Sequence, residues 1–254
     1  MSDIRQRVAN LGTIVGVWAH PDDESFTSAG LMSIATANEQ SVACITATRG
    51  EAGVQDEIKW PADKLHAVRE SEMNAAMKVI GVKHHHWLGY KDGACQDVPH
   101  HEAISKIGEL LKIYQPDSII TFPPSGGTGH MDHVSVSRWA LQAAEQYCPS
   151  ATVYFTVDLK EQYERYFKEL DEQFDIYFNL EEPNLVKAKD CDMFLQLPEN
   201  IARTKCEALR VMPSQTEGMF KQVGAKRLCE ALSKEGYVRA DRADITWSRP
   251  RSEH

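Results

Sequence analysis

The first 157 residues alternate between two hydrophobic patterns, and this alternation limits the folds that the chain can adopt. Short apolar runs rich in β-branched residues predict buried strands. Longer segments with apolar residues three or four positions apart predict helices between those strands. The predicted strands cover residues 13–19, 41–48, 83–88, 118–122 and 151–157, and the predicted helices cover residues 27–38, 63–80, 103–114 and 134–147.

Strands that alternate with helices pair in parallel through right-handed crossovers. Most of these strands are largely apolar on both faces, which is typical of a sheet covered by helices on both sides. We therefore predict an α/β fold with a mainly parallel sheet flanked by helices. In open sheets of this kind, the active site lies at the carboxyl ends of the strands.

The second part of the chain is less periodic. Predicted helices cover residues 160–172, 198–212 and 216–233, residues 190–197 are compatible with a short strand or a loop, and no pattern follows Asp241. We find no internal repeat and no low-complexity linker, so we predict a single domain over residues 1–254.

Composition excludes several kinds of partner. The net charge is −9 and Lys and Arg are not clustered, so no nucleic-acid partner is expected. No segment approaches the roughly 20 apolar residues that span a bilayer, and residues 1–12 lack the apolar core of a signal peptide. We therefore expect a cytoplasmic protein with no membrane span. The six cysteines show no Cys-x-x-Cys spacing, and we expect reduced thiols.

Polar loops follow the first four predicted strands. Because parallel strands have their carboxyl ends at the same edge of a sheet, all four loops are expected to converge there. The loops are residues 20–24, 49–53, 89–93 and 123–133.

Two of these loops contain pairs of potential metal ligands. His20 and Asp23 lie three residues apart, as do His130 and His133. A catalytic zinc site needs three protein ligands and one open position, so one of these four side chains is left to act on the substrate. Zinc lowers the pKa of a bound water to roughly 7, and Asp22 is a carboxylate that could take its proton. A protonated histidine could stabilise the oxyanion.

Simpler interpretations exist for each histidine cluster. Residues 20–24 could form a capped turn that opens a helix, since acidic side chains favour a helix N-terminus. That interpretation does not explain His130 and His133. The three histidines at positions 84–86 point to alternating faces of a strand, so we interpret them as ordinary strand residues.

Residues 19–24 (AHPDDE) and 129–133 (GHMDH) resemble the motifs of the LmbE-like, or PIG-L, zinc N-deacetylases. The resemblance covers roughly the first 140 residues well and the rest loosely. It implies a Rossmann-like sheet and a single LmbE-like deacetylase domain over residues 1–254. Within that domain, residues 1–150 would hold the metal-site core and residues 151–254 would shape the substrate pocket. Weaker matches lie at residues 48–53, 69–82, 88–93 and 205–208.

The resemblance also implies a role for each residue of the first motif. By matching position, His20, Asp23 and His133 would bind Zn2+, and this ligand set suits Fe2+ as well. Asp22 would act as the general base that activates the metal-bound water.

The remaining implied residues act on the substrate. His130 would stabilise the oxyanion and protonate the amine, and Asp132 would orient His130 as a carboxylate behind it. Arg49, Asp92 and Thr128 are the expected substrate-binding residues. Thr128 stands where many family members have Tyr, which leaves the identity of the substrate open.

The implied reaction is metal-dependent hydrolysis of the N-acetyl amide of an N-acetylglucosamine-type sugar or conjugate. The expected partner is therefore a small N-acetylated sugar, and the resemblance is compatible with a homo-oligomer. One alternative is amidase action on a larger thiol-sugar conjugate with the same residues. Another is a non-haem iron enzyme with two His ligands and one carboxylate, although such an enzyme would not need Asp22.

Overall fold

The computed structural model describes residues 2–248, so the last six residues of the predicted substrate-shaping part lie outside the described chain. A single eight-stranded sheet lies at the centre of this part of the protein. Its strands β1 to β8 are Ile14–Trp18, Val42–Thr48, His84–Tyr90, Ser118–Thr121, Thr152–Leu159, Leu185–Val186, Met193–Gln196 and Lys234–Arg239. The helices α1 to α11 are Ser2–Ala9, Asp23–Thr27, Ala29–Ala37, Ala62–Ile80, His100–Tyr114, Met131–Tyr147, Lys160–Gln162, Lys168–Phe174, Glu199–Arg210, Pro213–Val223 and Ala225–Ala231.

The sheet has the strand order β3-β2-β1-β4-β5-β8-β7, with β6 beside β5. The five strands from β3 to β5 in this order are parallel to their neighbours. Strand β8 is antiparallel to both β5 and β7. The predicted α/β fold with a mainly parallel sheet is therefore confirmed.

The order of the strands reverses at β1, which lies between β2 and β4. Ile14 of β1 is in register with Val42 on one side and Ser118 on the other. Connections that leave β1 and β4 in opposite directions open a crevice between the carboxyl ends of these two strands. His20 follows β1 and His130 follows β4, so the topology brings the two halves of the candidate site together.

Most predicted elements lie within a few residues of the observed ones, but the C-terminal part differs. Gly81 has a φ of 87° and ends α4 in the left-handed conformation, as its position predicts. The predicted helix over residues 216–233 is wrong, because Gly224, with a φ of 81°, separates α10 from α11. Strand β8 was not predicted, since its buried Glu235 interrupts the apolar pattern.

The core lies on both sides of the sheet and includes the fully buried Trp18 and Trp139. Cys206 and Cys229 form a disulfide between α9 and α11, so the expectation of reduced thiols is wrong for these two residues. Within residues 2–248, no helix is both long and apolar enough to cross a membrane.

Candidate metal centre

His20 lies in the turn after β1 and is surrounded by ligand-type atoms. Its Nδ1 atom is 3.0 Å from Nε2 of His133. Its Nε2 atom is 3.0 Å from Oδ1 of Asp92 and 3.2 Å from Oδ2 of Asp132. Burial opposes a charge on this ring, but the hydrogen bonds to Asp132 and Asp92 outweigh it and raise the pKa of His20 to about 10. Two carboxylates therefore orient the ring through Nε2 and direct Nδ1 towards His133.

His133 lies in the first turn of α6 and is fixed on two sides. Its Nδ1–H donates to the carbonyl oxygen of Gly126 at 2.9 Å. Its ring stacks on Phe122 with a centroid distance of 4.1 Å. Burial lowers the pKa of His133 to about 4, so the ring is neutral and its Nε2 lone pair faces His20. A neutral imidazole with its other nitrogen hydrogen-bonded is the usual state of a metal ligand.

Asp23 directs one carboxylate oxygen towards His133. Its Oδ2 atom accepts the backbone N–H groups of Ala19 and His20 at 3.1 and 2.7 Å. Its Oδ1 atom lies 3.4 Å from Nε2 of His133. The turn at the end of β1 therefore holds the carboxylate in place through backbone hydrogen bonds.

The donor atoms near His20 form two clusters that are close enough to hold a metal ion. In each cluster, one ligand atom per residue lies within 4.8 Å of the others. One cluster is His20, His130 and His133, and the other is His20, Asp92 and Asp132. Asp23 joins the first cluster through its contact with His133, and we call His20, Asp23, His130 and His133 the metal cluster.

Access distinguishes the two clusters. A cavity of about 300 Å³ has Asp23 and His133 in its wall, whereas Asp92 and Asp132 lie outside its lining. The carboxylate of Asp132 also accepts the backbone N–H groups of Gly93 and Cys95 at 2.8 and 2.9 Å. The side of His20 that faces His133 is therefore the side that a substrate could reach, and the histidine-rich donor set there fits a transition metal such as zinc or iron.

His130 is the N-cap residue of α6 and lies next to this cluster. Its Nδ1 atom accepts the backbone N–H of Asp132 at 3.1 Å, which leaves the ring proton on Nε2. Its ring centroid is 4.7 Å from that of His20. Burial and the neighbouring His20 lower the pKa of His130. The expected contact from the Asp132 carboxylate is replaced by this backbone hydrogen bond, because the carboxylate faces His20 instead.

Asp22 has a strained backbone and a buried arginine partner. Its φ of 122° is unusual for a residue other than glycine. Its Oδ2 atom lies 3.0 Å from Nη2 of Arg69, which also donates to the carbonyl oxygen of Pro21 at 2.6 Å. Burial raises the pKa of Asp22 to about 7, although Arg69 opposes this shift. Strained backbone of this kind often occurs where a side chain must be aimed at a site.

The sequence motifs assign no role to Arg69, although its position in α4 offers a signal. It lies four residues from both Leu65 and Met73, on the apolar face of α4, and all three side chains are buried. A buried arginine needs partners, and here they are the loops after β1 and β2. In addition to its contacts with the first loop, Arg69 donates to the carbonyl oxygen of Gly50 at 2.7 Å.

The three expected substrate-binding residues lie in different places. Thr128 lines the cavity together with Asp23 and His133. Asp92 is 7% exposed and contacts His20, so it lies behind the metal cluster. Arg49 forms an ion pair with Glu70 at 2.8 Å and lines a separate polar groove.

Comparison with known proteins identifies one family. A family model described as GlcNAc-PI de-N-acetylase (PIG-L) matches residues 15–144. The 1D-myo-inositol 2-acetamido-2-deoxy-alpha-D-glucopyranoside deacetylase of Saccharomonospora viridis is 30% identical over 167 residues, which make up 57% of this chain and 62% of that protein. The chain thus spans less than two-thirds of the length of this relative.

Solved structures share the fold at low sequence identity. N,N'-diacetylchitobiose deacetylase from Pyrococcus horikoshii matches with a TM-score of 0.66 and 16% identity, over 93% of this chain and 86% of that one. GalB, the 4-carboxy-2-hydroxymuconate hydratase from Pseudomonas putida KT2440, matches with a TM-score of 0.60 and 16% identity, over 93% and 98%. A deacetylase and a hydratase share this fold, so the fold alone does not identify the reaction.

The sequence motifs, the sheet topology and the matched family model agree with one another. The matched residues 15–144 include the loops that follow β1 and β4, and therefore every side chain of the metal cluster. The chain belongs to the PIG-L (LmbE-like) family, whose family model is described as GlcNAc-PI de-N-acetylase.

Proposed function

We propose that this protein hydrolyses the N-acetyl amide of an N-acetylglucosamine-type sugar or conjugate, with zinc bound by His20, Asp23 and His133. The observation that carries the proposal is the convergence of these three side chains in the crevice at the end of β1. His20 and His133 are joined by a 3.0 Å contact between ring nitrogens, and Asp23 lies 3.4 Å from His133. The substrate class is supported by the relative from Saccharomonospora viridis, whose name describes a deacetylase of a 2-acetamido sugar.

The proposed ligands leave room for reaction chemistry. Two histidines and one carboxylate make three ligands, which is the number found in catalytic zinc sites with an open position. When bound, zinc would supply Lewis-acid chemistry and make water nucleophilic at neutral pH. The cavity beside Asp23 and His133 offers space for an acyl group at that position.

Asp22 is the proposed general base. Asp22 lies in the same turn as the proposed ligands His20 and Asp23. Its Oδ2 atom is 3.0 Å from Nη2 of Arg69. It would accept a proton from the water that attacks the amide carbon. This proton balances the one that the amine needs when the carbon–nitrogen bond breaks, so the products are acetate and the free amino sugar.

His130 is the proposed group that stabilises the oxyanion. Because its Nδ1 atom accepts the backbone N–H of Asp132, its Nε2 atom is the donor available to the substrate. A fixed donor near the developing negative charge is one of the largest contributions to amide hydrolysis. Asp132 would act on the opposite side of the centre, by holding His20 through Nε2.

The polar groove near Arg49 is the proposed site for the sugar hydroxyl groups. It is lined by charged and polar side chains, and Glu51 in its wall accepts the backbone N–H of Asp92 at 3.1 Å. The groove therefore adjoins the loop that holds Asp92 against His20. Hydroxyl-rich ligands need this kind of polar lining to replace the hydrogen bonds they lose to water.

Metal analysis combined with an acetate-release assay tests the proposal. We expect protein purified without added metal to contain close to one zinc or iron ion per chain. We expect a chelator to abolish release of acetate from N-acetylglucosamine conjugates, and zinc to restore it. Less than about one-tenth of a metal ion per chain, with no gain in activity on adding zinc, would contradict the proposal.

The same ligand set also describes non-haem iron oxygenases, so the assay must separate the two reaction types. Hydrolysis needs neither oxygen nor a reductant. We expect equal acetate release in anaerobic and aerobic buffer. A requirement for oxygen and a reductant would overturn the hydrolase assignment and leave the metal ligands unchanged.

A further inference from the structure

The cavity beside the metal cluster is larger than an acetyl group requires. Its volume is about 300 Å³, and its wall includes Asp23 and His133 at one position. An apolar cavity of roughly 150 Å³ is already large enough to hold benzene. Most of the remaining wall is apolar. It includes Phe26 of α2, Phe122 directly after β4, Leu159 of β5, Phe167 of the π-helical turn Tyr163–Phe167, and Leu232 directly after α11.

A buried ion pair in the wall is satisfied within the protein. Nζ of Lys205 lies 2.7 Å from Oε1 of Glu235, and both side chains are almost completely buried. Glu235 also accepts the backbone N–H groups of Gly30 and Leu31 at 2.8 Å. Because the two charges neutralise each other, this part of the wall does not call for a charged ligand.

The positions of the proposed catalytic groups indicate which part of a substrate would enter the cavity. His130 lies outside the lining of the cavity, and its ring contacts Phe178, which is 43% exposed. The polar groove of Arg49 is likewise a separate space. A sugar would occupy the polar and more open side, so the substituent on the carbonyl carbon is the group directed past Asp23 and His133 into the cavity.

We propose that this cavity is an acyl-binding site, and that the enzyme accepts N-acyl amino sugars whose acyl group is apolar and contains roughly six to ten carbon atoms. This inference rests on the proposed amide hydrolysis at the metal centre and specifies the class of its substrate. An acetyl group would leave most of the apolar wall uncovered, whereas a medium-length chain or an aromatic acyl group would cover it. Covering that wall stabilises the complex, because apolar surface is removed from water.

A binding experiment on the full chain tests the acyl site without relying on turnover. The probes are N-acetylglucosamine, N-octanoylglucosamine and octyl N-acetylglucosaminide, measured by calorimetry with the metal removed by a chelator. We expect N-octanoylglucosamine to bind at least ten-fold more tightly than N-acetylglucosamine, and the octyl glycoside to show no such gain. Tighter binding of the octyl glycoside alone would overturn the proposal, because the cavity would then hold the aglycone.

A variant that fills the cavity tests whether the acyl group binds there. Ala231 of α11 is 2% exposed and lies in the wall, so Ala231→Leu would place three additional carbon atoms there. We expect it to lower the affinity ratio of the octanoyl to the acetyl sugar by at least five-fold. The matched control is Ala225→Leu, in the same helix but outside the lining, which should leave the ratio unchanged. An unchanged ratio in Ala231→Leu would contradict the assignment of the cavity.

Hydrolysis by the zinc-loaded protein separates this inference from the proposed function. We expect kcat/KM for N-octanoylglucosamine to exceed that for N-acetylglucosamine by at least ten-fold. If the acetyl sugar is hydrolysed and the octanoyl sugar is more than ten-fold slower, the acyl site is refuted and the hydrolase function stands. If the octanoyl sugar binds tightly but no N-acyl sugar is hydrolysed, the hydrolase function fails and the cavity is identified as an apolar binding site only.

Discussion

The Nδ1–H of His133 donates to the carbonyl oxygen of Gly126 at 2.9 Å, and this bond determines which ring nitrogen faces the metal cluster. A carbonyl oxygen can only accept, so the neutral ring carries its proton on Nδ1. Its Nε2 atom is then free to bind a metal ion beside His20. The glycine-rich loop after β4 therefore supplies the carbonyl oxygen that orients His133, which is one of the proposed metal ligands.

Replacing Gly126 should weaken metal binding. A Cβ atom at this position would lie 3.0 Å from Cβ of His133 and 3.1 Å from the carbonyl oxygen of His130, and the φ of 76° adds strain. We expect Gly126→Ala to lower zinc affinity by roughly 10- to 100-fold, as measured by competition with a chromophoric chelator. The control is Gly127→Ala, since Gly127 has a φ of 73° but open space around its Cβ position. Equal losses in both variants would show that backbone strain, and not the contact with His133, is responsible.

Asp22→Asn should separate turnover from metal binding. If Asp22 accepts the proton of the attacking water, its amide replacement should lower kcat by roughly 10² to 10⁴ while metal content stays close to that of the wild type. Metal content and acetate release are measured on the same preparation. Asp97→Asn, an exposed substitution of the same kind, controls for the loss of a negative charge. Loss of the metal from Asp22→Asn would identify Asp22 as a ligand instead.

Asp92→Asn should weaken metal binding and leave substrate binding unchanged. The Oδ1 atom of Asp92 lies 3.0 Å from Nε2 of His20. Burial favours the neutral carboxyl group, but the hydrogen bond to His20 outweighs this effect and lowers the pKa of Asp92. A carboxylate in this position orients a ligand, and its loss typically reduces metal affinity by roughly 10- to 100-fold. We therefore expect a higher zinc dissociation constant and an unchanged KM at saturating zinc. A higher KM with unchanged zinc affinity would favour the substrate-binding role that the sequence predicted.

The parts of the structure that could be predicted from the sequence are those encoded by local patterns. The apolar run of β1 and the glycine that ends α4 each specify an element within a few residues. The parallel order then brings residues 20–24 and 123–133 to one edge of the sheet, which is why two short motifs could be assigned to one site.

The remaining features depend on contacts between residues that are distant in sequence. Glu235 of strand β8 forms a buried ion pair with Lys205 of α9, and no local pattern encodes such a pair. Arg69 and Asp22 are 47 residues apart, and Asp132 turns to His20 across a separation of 112 residues. The disulfide of Cys206 and Cys229 likewise depends on the packing of α9 against α11.

The histidine at position 85 should make stability depend on pH outside the metal centre. Its Nε2 atom lies 2.9 Å from Oγ1 of Thr46, and burial lowers the pKa of His85 to about 4. The unfolded chain, with a histidine pKa near 6.5, binds more protons between pH 6.5 and pH 4 than the folded chain does. The contribution of His85 to the free energy of unfolding should therefore be fully present above pH 6.5 and decrease as the pH falls towards 4.

His85→Gln should remove this part of the pH dependence. Glutamine can still bond to Thr46 but does not titrate, so the loss of unfolding free energy between pH 7 and pH 4 should be smaller in the variant by about 3 kcal/mol. Urea unfolding at both pH values, with chelator in every sample, measures the difference without a contribution from metal release. The exposed neighbour supplies the matched substitution, His84→Gln. If both variants lose the same amount of stability on acidification as the wild type, the partly buried imidazole of His85 is not the group that titrates.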